Sequence, residues 1–122
     1  MLIAFWIVNA LTALLFLGAG SMKVIRPKSA LAEMGMAWTV DFNAGVIKLI
    51  GAAQVLGAIG MILPVLLDIA PILSPIAATG IAIIMIGAVV VHVRRKEAAA
   101  PAVVLMLLAV ASAVLGYITI AV

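Results

Sequence analysis

The sequence predicts an all-α protein, a four-transmembrane-helix antiparallel bundle with a longer, helical first connection. Three observations carry this. Of the 122 residues, 69% are hydrophobic and 9% charged, against roughly 25% charged in soluble domains, so too few polar side chains exist to coat a water-facing surface. Four apolar runs each meet or approach the ~20 residues that a helix needs to cross the hydrocarbon core. The apolar–polar alternation of a membrane barrel strand is absent. Residues 1–122 read as a single integral membrane domain.

The first helix is expected over about residues 2–22. This run carries no charge and its start, MLIAFWIVNA, has no positive n-region. Lys23, Arg26 and Lys28 follow the run instead, so it reads as a retained helix and not a cleaved leader. Phe5 and Trp6, near its outer end, fit an aromatic belt. The first connection, roughly residues 23–44, is long enough to fold on its own. Within it, Ser29-Ala-Leu-Ala-Glu33 after Pro27 fits a capping box, and Leu31, Met34 and Trp38 recur at helical spacing. A short amphipathic helix follows from that pattern. It lies either at the interface with Trp38 as anchor or under the bundle as a lid.

The second helix is expected over 45–67, with Lys48 near its start and Gln54 near mid-membrane. Pro64, Pro71 and Pro75 bracket the second connection and read as helix ends and starts, with a kink as the alternative. The third helix covers about 72–93. The tight turn Arg94–Glu97 then makes it an antiparallel neighbour of the fourth, at 99–121. Small residues supply close helix packing: Gly51, Ala53, Gly57 and Ala58 on the second helix, Gly80, Gly87 and Ala88 on the third, and Ala109, Ser112, Ala113 and Gly116 on the fourth. Tyr117 fits the outer aromatic belt.

All seven lysines and arginines fall in or beside the first and third connections, which share a side in a four-span chain. The positive-inside rule makes that side cytoplasmic and places both termini outside. The net charge of +3 therefore speaks for orientation and anionic lipid headgroups, not for nucleic acid.

The chain has no cysteine and one histidine. Disulfides, thiol relays and thiolate-bound metals are excluded, bis-histidine haem ligation is excluded, and a metal site is not expected. No hydrolytic triad, carboxylate pair or phosphate loop can be assembled, so no catalytic residue is assigned. Polar groups at depth are the informative ones. Gln54 reads either as a ligand-binding group or as a packing hydrogen bond, with Asn9, Thr12, Thr79 and Ser112 as candidate partners. Lys48 reads as a snorkelling interface residue, or as a relay with Asp41 seven residues earlier. His92, one turn inside the third helix's basic end, suits the negative end of the helix dipole; alternatively it joins Lys23, Lys48, Gln54 and Glu97 as a polar cluster around a ligand.

Three stretches, LFLGAGSMKVIRP at 15–27, KLIGAAQVLGAIGMILP at 48–64 and PIAATGIAIIMIGAVVVHVRRKE at 75–97, together resemble the DoxX-like family of small four-helix membrane proteins. The polar points Lys23, Lys48, Pro64, His92 and Glu97 give the match its specificity, and it covers most of the chain. The resemblance implies a four-helix transmembrane bundle. It also implies association with a redox or quinone-linked complex, since the family is named for a subunit linked to thiosulfate:quinone oxidoreduction, and other relatives are linked to oxidative-stress complexes or to membrane-protein assembly. One position departs: residue 54 is often glutamate in such sequences, and Gln54 here puts any proton or cation role of that acid in doubt.

Two functions follow. The first is a non-catalytic membrane subunit or assembly factor, with a membrane or oxidoreductase protein as partner and a homo-oligomer open. The alternative is a binder of an apolar small molecule, a quinone or lipid, within the bundle. An exporter of the small multidrug type ranks last, because proton-coupled export needs an intramembrane acid.

Overall fold

The computed structural model describes residues 2–120. Its elements are α1 (Leu2–Ile25), α2 (Lys28–Glu33), a 3-10 turn (Ala37–Asp41), α3 (Ala44–Leu66), α4 (Leu73–Arg94) and α5 (Ala100–Thr119), with no strand among the described residues. The four long helices are 20 to 24 residues, or about 30–36 Å at ~1.5 Å per residue, enough to cross a bilayer. The expected end of the fourth helix at residue 121 lies outside the described residues.

Each long helix packs on its neighbour in sequence, and α5 returns to α1 to close the ring. The helices are apolar on every face, so hydrophobicity does not choose the inward side. Size and polarity do. Ala13, Ala58, Ala78, Ala82, Ala109 and Ala113 are buried, while Ile3 and Leu49 are 76% and 70% exposed and belong to lipid. This is a multi-pass membrane protein.

The tightest approach is between α1 and α3. A Cβ added at Gly20 would stand 2.6 Å from the Gly51 carbonyl oxygen, and one added at Gly51 would stand 2.7 Å from that of Gly20. Small residues elsewhere divide. Ala109, Ser112, Ala113 and Gly116 of α5 are buried as expected, but Gly80 and Gly87 of α4 have nothing within 4 Å of a notional Cβ and bring no helix closer.

At the N-terminal end of α1 one buried polar network joins all four long helices. Asn9 Nδ2 donates to the Met61 carbonyl at 2.9 Å, Ser74 Oγ donates to the same oxygen at 2.6 Å, and Ser112 Oγ donates to Asn9 Oδ1 at 2.8 Å. Pro64 lies inside α3 instead of ending it. Having no N–H, and crowding the turn before it, Pro64 opens backbone acceptors there that side chains from neighbouring helices can take. Phe5 is fully buried beside Gly116, so it belongs to the core and not to the aromatic belt. Tyr117 is 38% exposed and shares a 3.0 Å hydrogen bond with Thr79.

The basic end differs from expectation in three ways. α1 runs on to Ile25, which puts Lys23 on its last turn, not in the connection. Nothing disfavours helix until Pro27 biases Arg26 away from the helical region. The Ser29 capping box does not form: Glu33 lies four residues after Ser29 where the motif needs three, and Pro27 is the N-cap of α2, without a side-chain cap bond. Nor does one helix carry Leu31 through Trp38. Gly35, at φ +100°, breaks it in the left-handed region that glycine tolerates best, and the chain resumes as the 3-10 turn. The result is a two-piece lid with Leu31 and Thr39 buried, which selects the lid over the interfacial helix.

Candidate functional site

Every buried residue of α4 lies between Ser74 and Met85. Beyond Met85 the small residues Gly87 and Ala88 leave room, and a cavity of about 480 Å³ opens between the basic halves of the long helices and the lid. Met36, Trp38 and Phe42 roof it, the two aromatic rings meeting edge to face at 5.7 Å. Phe16, Ile84, Met85 and Leu105 form apolar wall. Volume and lining match small-molecule sites, which run ~300–1,000 Å³ and are mostly apolar with a few placed polar groups.

The polar groups are Lys23, Gln54 and His92. Lys23 and Gln54 each lie three residues beyond a glycine of the α1–α3 crossing, one turn on from Gly20 and from Gly51. Close backbone approach therefore brings their side chains together, and Lys23 Nζ donates to Gln54 Oε1 at 2.8 Å. Both are buried, at 7% and 3% exposure. Gln54 Nε2 has only a 3.9 Å contact to Met85 Sδ. Gln54 thus pairs with none of the four expected partners. Asn9 and Ser112 bond to each other, while Thr12 and Thr79 bond back to their own helices, as hydroxyls in helices do.

His92 lines the cavity, and its Nδ1 is buried without a hydrogen bond. Glu97 Oε2 is 3.4 Å away but outside hydrogen-bond geometry. Glu97 sits in the turn beyond α4 and is held by Arg95, which also pairs with Asp41 at the end of the lid. Arg95 thereby ties the lid to the third connection. Lys48 is the outlier of the expected cluster. It is exposed and donates to the Val24 carbonyl at 2.8 Å, capping the end of α1, so neither the cavity nor a relay with Asp41 involves it. Sequence reasoning missed Arg95 as a latch and Met36 and Phe42 as roof. The available signals were Trp38 and Phe42 four residues apart, and the matched spacing of Gly20 to Lys23 and Gly51 to Gln54.

The latch lies outside the spans and titrates. The hydrogen bond from Arg95 holds the Glu97 carboxyl below the usual carboxylate value, and hydrogen bonds to Glu97 and then Asp41 raise Arg95. For a depressed acid the stabilising contribution is complete above the ordinary value of 4.5 and fades as pH falls through the lower folded value. Amide hydrogen exchange of residues 36–42, corrected for its intrinsic pH dependence, is expected to hold steady from neutral pH to about pH 5 and to accelerate several-fold only as pH falls below the ordinary carboxylate value. Arg95→Ala should accelerate it at neutral pH as well. Unchanged exchange in Arg95→Ala would show that the latch holds nothing.

A family model for the DoxX-like family matches residues 7–114, a stretch that reaches into all four long helices. No curated protein and no solved structure matches the chain.

Proposed function

The chain belongs to the DoxX-like family, and from that premise we propose that it is a membrane-embedded binder of an apolar small molecule with one polar head, a quinone or lipid, held in the lidded cavity at the basic end. Of the two functions open from the sequence, subunit or assembly factor against binder, the cavity supports the second. One observation carries it: a buried polar pair, Lys23 with Gln54, and His92 are the polar groups that face a chamber otherwise walled by apolar side chains. The pair offers donors, since Lys23 spends one of its N–H groups on Gln54 and the Gln54 amide is weakly engaged. A carbonyl, hydroxyl or acid oxygen on a ligand head would accept from it. With the basic connections on the cytoplasmic side, the lid faces the cytoplasm and both termini lie outside. No reaction is assigned, and the binding role is compatible with service to a quinone-linked membrane complex.

Native mass spectrometry after gentle extraction in a nonionic detergent tests this. The wild-type protein is expected to retain one small amphiphile per chain. Gly87→Phe is expected to expel it while the helical circular dichroism stays intact, because Gly87 lines the cavity and has no atom within 4 Å of a notional Cβ. A chain that carries a stoichiometric protein partner and no small molecule would return the assignment to the subunit.

A further inference from the structure

We propose that the ligand of this cavity is a single-chain amphiphile with an anionic head, a fatty-acid carboxylate, seated against Lys23; this rests on the cavity-binder reading above. Lys23 is 7% exposed, and Gln54, a neutral amide, is its hydrogen-bond partner. Among the described residues no carboxylate lies within ion-pairing distance of it. The acids at that end are otherwise placed: Asp41 and Glu97 are both taken by Arg95, and Glu33 is exposed on the lid's outer piece. Asp68 is at the opposite end of the bundle. His92, the remaining titratable group of the cavity, supplies no negative charge.

A cation withdrawn from water without a counter-charge is costly, and proteins pair such groups. Residue 54, the position best placed to supply an acid, carries an amide. The chain therefore holds a buried cation and leaves its counter-ion to come from outside. The geometry also fits an acid carried on an alkyl chain. Lys23 lies on the last turn of α1, and its ammonium reaches Gln54 at the cavity wall. The cavity runs along α4 from Ile83 to His92, about 13 Å at ~1.5 Å per residue, and the Lys23–Gln54 pair meets it beside Met85. That is room for part of one acyl chain against Ile83, Ile84, Val91 and Leu105, which are apolar.

The test uses full-length protein in a nonionic detergent, stripped of lipid, with native mass spectrometry of added dodecanoate, methyl dodecanoate and decylubiquinone. The wild type is expected to bind one dodecanoate at least tenfold more tightly than the methyl ester. Lys23→Met is expected to erase that preference. Gln54→Glu is the second variant: it supplies Lys23 with an internal carboxylate, keeps the pair joined, and is expected to abolish dodecanoate binding in a folded protein. Equal affinity for acid and ester, or a preference for decylubiquinone, overturns the anionic head while leaving the cavity-binder reading standing. Dodecanoate binding that survives Gln54→Glu overturns it as well. Binding of none of the three probes overturns it too; the cavity-binder reading is then judged by the molecule retained from the cell.

Discussion

Gly51→Leu is expected to destroy the α1–α3 crossing and to be among the most destabilising single substitutions in the chain. The reason is which atoms are in the way. A Cβ at residue 51 would meet Lys23 Cβ at 2.6 Å and the Gly20 carbonyl oxygen at 2.7 Å. One is backbone and the other the root of a side chain, so neither can rotate aside and the helices must separate. Overpacking a well-fitted interface costs about 1–3 kcal/mol and sometimes more, and no hydrophobic gain offsets it, because a leucine displaced into lipid leaves one apolar medium for another. Separation would also part Lys23 from Gln54, so the cavity should lose its polar head site together with stability. Gly18→Leu is the control, with nothing within 4 Å of its notional Cβ, and should be neutral or mildly helix-stabilising. The measurement is the denaturing-detergent fraction at half-unfolding in mixed micelles. A Gly51→Leu midpoint equal to that of Gly18→Leu would show that the close crossing is not needed.

The helices were legible in the sequence because bilayer thickness imposes a length and apolar composition reports it. The boundaries that slipped did so for local reasons. From sequence Lys23 reads as the first residue of a connection because charge ends the apolar run there, yet a lysine near a helix end can stay helical, and Pro27 sets the limit. The lid's break at Gly35 was hidden by the helical spacing of Leu31, Met34 and Trp38, which continues across a residue at φ +100°.

Of the candidate site, the residue types were legible and the pairings were not. Lys23, Gln54 and His92 do share one cavity, and Glu97 stands at its edge beside His92. Lys48 shares their place at the basic end, but it is exposed and bonds the Val24 carbonyl at the end of α1 instead. Pairing depends on which faces of α1 and α3 meet, and helices that are apolar all round do not announce an inward face by periodicity. Small residues announce it only in part, since Gly51 packs and Gly87 does not. The empty space is the least legible feature. It arises where α4 has no fully buried residue after Met85, and its sequence signature, Gly87-Ala88, is the same as that of a tight contact.

The Lys23–Gln54 pair is expected to show strong energetic coupling, and Gln54→Leu is the substitution that exposes it. Removing the amide leaves an ammonium buried among apolar atoms, whereas removing both partners leaves a site that apolar packing can fill. Hydrogen bonds to charged groups contribute roughly 1.5–3 kcal/mol, and Lys23, near the end of α1, recovers part of that loss by reaching toward the interface. Gln54→Leu alone should therefore be clearly destabilised, and adding Lys23→Met should restore stability, giving a coupling of about 1–2 kcal/mol in a double-mutant cycle. The readout is the unfolding midpoint in mixed micelles for wild type, both singles and the double. Additive losses would show that the 2.8 Å contact carries no free energy. A double variant as stable as the wild type would mean that two apolar residues fold this bundle equally well. The polar pair would then earn its place through what it holds in the cavity, and ligand retention should be lost in that same stable double variant.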